Sequence, residues 1–328
     1  MSMDMPLLIV ENLKTHFYTY DGIVQALDGV TFELYKGETF GLIGETGCGK
    51  TATALSIMRL LPENGTIAEG RVLFKGENLL EKDEEEMRKI RGKEISMIFQ
   101  EPSAYLNPVF TVREQIIDVI MAHQNLEREE AEEKAIEALK LVALPDPERI
   151  LGSYPHELSG GMQQRVMIAM ALSTNPDLLI ADEPTSYLDV TVQAQILEHL
   201  KNVKRKRNLS LLLITHNMGI VAEMCDRVGV MYAGNIVEIG NVRQIIKKPC
   251  HPYTMGLLAA LPRPETRRKK LYSIKGSIPD LINPPSGCRF HPRCPYAMEI
   301  CRRRKPQTVE VEPGRYVACH AVERGVVT

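Results

Sequence analysis

Eight residues, Gly44-Glu45-Thr46-Gly47-Cys48-Gly49-Lys50-Thr51, constrain this chain more than any other stretch. They follow an apolar run at 39–43 and precede a helical pattern from about 50 to 61. The spacing G-x-x-x-x-G-K-[ST] suits phosphate binding. Glycines let the backbone curl until successive N–H groups point at one phosphate. The helix that starts there adds the positive end of its dipole, Lys50 neutralises the β- and γ-phosphates, and Thr51 offers a hydroxyl to Mg2+. A strand, turn and helix in this order predict a parallel sheet flanked by helices.

The rest of the chain fits that prediction in part. Residues 7–35 alternate apolar and polar positions, with Asp21-Gly22 as a turn signal, and read as antiparallel strands. Strand-like runs recur at 95–99, 178–181, 211–215 and 228–231, mostly separated by helical periodicity. Between 100 and 155 the strands stop, and 126–142 carries apolar residues at helical spacing, which predicts a helical subdomain at about 101–157. From Pro249 onward the texture changes: residues 249–328 hold eleven of the twenty prolines and show weak periodicity. The expectation there is a small irregular extension rather than more sheet. The fold class is α/β: a mixed sheet with flanking helices, an antiparallel β subdomain, a helical subdomain and the extension. The domain division falls at 1–248 and 249–328.

Charge and composition exclude other classes. A formal net charge of −2 offers no basic stripe for a nucleic acid, and the basic runs at 201–207 and 302–305 are short enough to be solvated faces. No stretch approaches the roughly 20 apolar residues that cross a bilayer. The first ten residues lack a basic region followed by a long apolar core. The chain is therefore expected in the cytoplasm, where spaced cysteines point to metal or catalysis before disulfides.

A second apolar strand, 178–182, ends in Asp182 and is followed by Glu183. Beside the phosphate-loop strand, Asp182 would approach the Mg2+ water shell and Glu183 would orient or deprotonate the attacking water. Upstream of it stands Leu158-Ser159-Gly160-Gly161-Met162-Gln163-Gln164-Arg165, ahead of an apolar helix. This octapeptide resembles the signature motif of ATP-binding-cassette (ABC) ATPases. The resemblance implies an ABC ATPase core in which Ser159, Gly160 and Gly161 cap the γ-phosphate of ATP held by a partner cassette. The remaining family elements fall in the expected order along the chain. Gln100 resembles the glutamine that senses Mg2+ and the water, Asp189 the D-loop aspartate, and His216 the switch histidine. Ala52 extends the loop contacts, and Tyr20 is the candidate to stack on adenine, with Tyr18 and Phe17 as competitors. Two positions depart from the pattern: Tyr187 replaces a small D-loop residue, and Cys48 stands where relatives often have serine. The family also implies a second ABC subunit, identical or related, two membrane-spanning permease subunits and, indirectly, a solute-binding protein. The chain would then sit peripherally on the cytoplasmic face of the membrane.

The tail narrows the resemblance. His251-Pro252-Tyr253-Thr254 with Gly256-Leu257-Leu258, and 287–295 (GCRFHPRCP), are similar to the oligopeptide and dipeptide importer ATPases, as is Tyr154-Pro155-His156-Glu157 before the signature. Importers for nickel or oligosaccharides share this architecture, and soluble ABC ATPases form a more distant alternative. Cys288, Cys294, Cys301 and Cys319 are spaced C-x5-C-x6-C-x17-C. Four sulfurs suit Zn2+ or an iron–sulfur cluster. The paired C-x2-C knuckles usual for zinc are missing, and Pro295 follows Cys294 as proline follows a ferredoxin cysteine. The subgroup resemblance implies a [4Fe-4S] cluster, with zinc or free or disulfide-linked thiols as alternatives.

Overall fold

A computed structural model describes residues 5–186, 188–261 and 272–327. The chain divides into two compact units, one built from Tyr35–Thr39 and Glu81–Ile214, the other from Met5–Leu34, Phe40–Leu80 and the chain from Thr215 onward.

The second unit begins with an antiparallel hairpin, β1 (Leu8–Thr19) and β2 (Gly22–Leu34). Leu8, Val10, Leu13, Leu27, Val30 and Leu34 are completely buried, so alternation in the sequence marks the inward face. The tight turn is Tyr20-Asp21, one residue earlier than expected; Gly22 already pairs with Thr19. β3 (Thr39–Ile43) is buried along its whole length and runs into the phosphate loop, which opens α1 (Lys50–Met58). This helix stops before the expected residue 61. Arg59 adopts a left-handed conformation (φ 51°), and Pro62 disfavours helical geometry at the residue before it. β4 (Gly65–Phe74) and the short β5 (Glu77–Asn78) complete a four-stranded sheet in the order β2-β1-β4-β5.

The first unit carries α2 (Glu84–Ile90) and then three parallel strands: β6 (Ile95–Ile98), β7 (Leu178–Asp182) and β8 (Ser210–Ile214), with β7 in the middle. Between β6 and β7 the described chain is helical: α3 (Pro102–Tyr105), α4 (Val112–His123), α5 (Arg128–Leu141), α6 (Pro147–Gly152) and α7 (Gly160–Leu172). α4 opens on a capping box, Thr111 with Glu114, and buries Val112, Ile116, Ile117 and Ile120. α5 is mostly charged but buries a narrow stripe, Ala131, Ala135, Ala138 and Leu139, by which it packs on α4 and α7. α8 (Val190–Arg207) leads from β7 to β8.

The second unit resumes with α9 (Met218–Met224), β9 (Arg227–Tyr232), β10 (Asn235–Asn241), α10 (Val242–Lys247) and α11 (Pro252–Ala259). β9 runs parallel to β3 and antiparallel to β10. The extension then departs from its irregular reading. After α12 (Glu299–Arg303), the strands β11 (Thr308–Glu312) and β12 (Arg315–Ala318) add to the sheet edge, β12 pairing with β10, before α13 (His320–Glu323). Their signal was present as Thr308-Val309-Glu310-Val311 and a Pro313-Gly314 turn, but each strand is too short to stand out among the prolines. No helix among the described residues is long and apolar enough to cross a membrane.

Candidate functional site

The phosphate loop takes the shape its glycines permit. Gly47 has φ 81° and Gly49 φ 108°; a Cβ on Gly49 would sit 2.8 Å from the Ala26 carbonyl oxygen. Lys50 is buried, and its Nζ donates to the carbonyls of Gly44 (2.8 Å) and Glu45 (3.2 Å). The ammonium is thus held inside the loop's own curl. Thr51 is exposed on the first turn of α1, with Ala52 half-buried beside it, and Thr46 lies on the outer side of the loop. Tyr20 is fully exposed at the hairpin tip and Tyr18 half so, while Phe17 packs within 3 Å of where a Gly65 side chain would begin.

Cys48 is 1% exposed, and its Sγ lies 3.8 Å from Lys50 Nζ. Burial raises the thiol pKa, with Lys50 opposing it, so the reactive thiolate is scarce. Alkylation by a maleimide should therefore run at least about tenfold slower than for the half-exposed Cys250, and each modified chain should lose ATP binding. Rapid labelling, or unchanged nucleotide affinity after complete labelling, would contradict this.

His216 lies in the same unit and is exposed, just beyond a buried Thr215 whose N–H donates to Leu42 on β3 (3.4 Å). Asn217 behind it caps α9 by accepting from Gly219 (2.9 Å).

In the first unit, β7 delivers Asp182 almost fully buried. Glu183 follows in a left-handed conformation, φ 47°, with its N–H donating to Ile214 (2.9 Å). Its carboxylate accepts from Ser186 Oγ (2.9 Å) and, over a longer 3.4 Å, from Gln100 Nε2. Gln100 and Glu183, 83 residues apart, are thereby brought together. Ser159 caps α7, accepting from Met162 at 3.4 Å, and stays exposed with Gly160 while Gly161 is half-buried. The N-terminal amides of a thirteen-residue helix are thus presented outward. Asp189 caps α8 through two 3.0 Å bonds from Thr191 and Val192, a role its motif position does not reveal. Tyr187 lies outside the described residues.

Sequence reasoning missed two tail residues. Tyr253 Oη accepts the Glu45 N–H (2.9 Å), and Arg293 binds the Glu45 carboxylate through both terminal nitrogens (2.7 and 3.0 Å). Tyr253 is placed by His251, whose Nδ1 accepts the Tyr253 N–H (3.0 Å) and caps α11. The motif His-Pro-Tyr thus reads as cap, first helical residue and contact to the loop. Burial pushes the His251 pKa down to about 3. The folded chain leaves this ring neutral while the unfolded chain protonates it near 6.5. Stability should therefore fall as the pH drops from about 6.5 to about 3, by about 1.4 kcal/mol per unit. His251→Asn keeps a cap and should flatten that slope in urea titrations at several pH values; an unchanged slope assigns it to other groups.

The four tail cysteines lie within one short segment, joined by a Cys288 N–H bond to the Cys301 carbonyl (2.8 Å). Burial pushes the thiols of Cys288 (to about 12), Cys294 (to about 11) and Cys319 up, with backbone N–H groups opposing it: Phe290 for Cys288, Tyr296 for Cys294, and Val322 and Ala321 for Cys319. The four tail cysteines are free thiols, and among the described residues no group of three or more His, Cys, Asp or Glu is placed to hold a metal ion.

Residues 27–186 match the family "ABC transporter", and residues 237–301 match "Oligopeptide/dipeptide transporter, C-terminal region". The chain is 50% identical to a probable peptide ABC transporter ATP-binding protein of Sinorhizobium fredii over 95% of its own length and 94% of the relative's. It is 51% identical to the dipeptide transport ATP-binding protein of Bacillus subtilis, covering 92% of this chain and 91% of that one. A dimeric ATP-binding cassette in a post-hydrolysis state, bound to ADP and Pi, superposes with a TM-score of 0.66 at 27% identity, covering 72% of this chain and 99% of that cassette. The chain belongs to the ABC transporter family, among the ATP-binding proteins that carry the oligopeptide/dipeptide transporter C-terminal region.

Proposed function

We propose that this ATPase powers the uptake of dipeptides or oligopeptides through separate membrane subunits. The observation that carries the reading is the C-terminal region at 237–301, together with relatives named for peptide, dipeptide and oligopeptide transport. The partners are a second cassette, two permease subunits and, through them, a solute-binding protein. The chain works peripherally at the cytoplasmic side of the membrane. On this reading 1–248 is the ATPase domain, with its helical subdomain at about 101–157, and 249–328 is the extension.

The residues take the following roles. Gly44 to Ala52 cradle the phosphates, with Lys50 supplying the charge. Tyr20 stacks on adenine. Mg2+ is held through Thr51, Asp182 and Gln100; hydroxyl, carboxylate and amide oxygens suit a hard cation, which neutralises phosphate charge. Glu183 takes up the proton of the attacking water, and His216 contacts the γ-phosphate. Ser159, Gly160 and Gly161 serve the nucleotide of the partner cassette, and Asp189 lies at the seam.

Cys288, Cys294, Cys301 and Cys319 hold a [4Fe-4S] cluster on the same reading, with zinc as the alternative. Four sulfurs are the donor set that either group takes, and the reading rests on that donor type alone, since no group of three among the described residues is placed to hold a metal ion. Such a clip would add bond energy to a proline-rich segment with a small core. Protein purified without oxygen should contain about four irons and four sulfides per chain. About one zinc would replace the cluster by a zinc clip, and neither metal would leave free thiols.

The transport reading is tested in liposomes carrying the chain with its permease subunits and solute-binding protein. ATP-dependent uptake of a labelled peptide is expected. Uptake of nickel or an oligosaccharide instead moves the chain to a sister importer. ATP hydrolysis without any association with permease subunits overturns the transport reading.

A further inference from the structure

Glu45 is an awkward residue for its position. It is the second residue of a loop whose glycines, helix dipole and lysine all serve to attract anions, and a carboxylate there works against them. Its partner comes from the tail, 248 residues away. The Arg293 side chain is 5% exposed, and it meets the 28% exposed Glu45 side chain through two short, charge-assisted bonds. Arg293 is itself fixed: its Nε donates to the Lys275 carbonyl (3.1 Å), and its guanidinium lies over the Tyr232 ring at 5.6 Å. Tyr232 packs with Tyr253 and Phe290, which stand 4.7 and 5.0 Å away by ring centroids. Tyr253 grips the same loop residue from another side, at its backbone N–H. One tail therefore holds both the main chain and the charge of Glu45.

We propose that Arg293 is a positioning residue of the nucleotide site, cancelling the Glu45 carboxylate and fixing the phosphate loop in its anion-binding shape. The tail is then a working part of the ATP site as well as a family marker. The proposal rests only on ATP binding by the loop and is independent of the transported cargo.

The charge argument makes the test asymmetric. In the full-length chain, Arg293→Met uncovers Glu45, and the affinity for Mg2+-ATP by calorimetry should fall about tenfold, the scale of one unit charge near a partly buried site. The fall should shrink in high salt. KM for ATP should rise with it while kcat changes little, because the mutation acts on binding. The affinity of Glu45→Gln alone sets the reference for the double variant. Glu45→Gln combined with Arg293→Met should recover most of what Arg293→Met lost, since no carboxylate remains to mask. A merely structural arginine would give no such rescue. Should Arg293→Met fold poorly, Arg293→Gln keeps a hydrogen bond without the charge, and the same loss and the same rescue are expected. Native affinity in either Arg293 variant, or a double variant as weak as the single one, would overturn the proposal.

Discussion

Glu183→Gln should lower ATP turnover by about a thousandfold, the usual range for loss of a general base, while ATP still binds. The substitution is nearly isosteric, and the backbone anchor, the Glu183 N–H to the Ile214 carbonyl, is untouched. The Ser186 hydroxyl can donate to an amide oxygen as it does to the carboxylate. Basicity alone is removed. The left-handed backbone at φ 47° is costly for a residue with a side chain, and strain of this sort persists where the surroundings force it, often at sites of chemistry. Gln100, at 3.4 Å, makes a weaker contact. Gln100→Ala should therefore cost less than Glu183→Gln. Phosphate release and ATP affinity, measured on the same preparations, separate the two steps. Turnover within tenfold of native for Glu183→Gln would remove it as the base.

The contrast between what these two residues and the tail disclose in sequence has a physical origin. Strands β3, β6, β7, β8 and β9 were legible within a residue or two because each is a short, mostly apolar run, as buried parallel strands tend to be. The helix over 128–141 was legible from its spacing despite its charge. By contrast, β4, β5 and β10 were not read: Gly65-Thr66-Ile67-Ala68-Glu69-Gly70 has two glycines and no long apolar alternation. The end of α1 depended on one left-handed residue, which no periodicity announces. Motifs pointed to the phosphate loop, Gln100, Glu183 and His216 because the chemistry proposed for each needs a residue type at a fixed chain position. Arg293 and Tyr253 escaped for the opposite reason. Their partner lies more than 200 residues upstream, and nothing in a local pattern says that an arginine beside a cysteine answers a glutamate in a glycine loop.

The same long-range logic governs the second large effect, at Glu238. This β10 residue is 1% exposed, and its carboxylate accepts from Arg315 Nη2 (2.8 Å), from the Cys250 N–H (2.9 Å) and from the His251 N–H (2.9 Å). Arg315 is equally buried at the start of β12. Glu238→Ala leaves two amides without their acceptor and leaves the Arg315 cation only the Lys248 carbonyl and the more distant Glu312 carboxylate (3.4 Å), and it should destabilise this unit by about 3 kcal/mol, the low end of the range found when one partner of a buried pair is removed. Glu238→Gln keeps one acceptor oxygen and should lie between the variant and native. Adding Arg315→Met to Glu238→Gln should recover part of the stability, because a buried charge left with only the half-exposed Glu312 as its counter-ion goes with it. Hydrogen exchange at the His251 and Tyr253 amides gives the local readout, and these should lose protection first. Unchanged protection in Glu238→Ala would mean that α11 is held by its packing alone. The consequence reaches the nucleotide: Glu238 fixes His251, His251 caps α11, and that helix delivers the Tyr253 hydroxyl to Glu45. A residue with no contact to ATP should thus weaken ATP binding in proportion to how far α11 frays, whereas Arg293→Met weakens it with α11 intact.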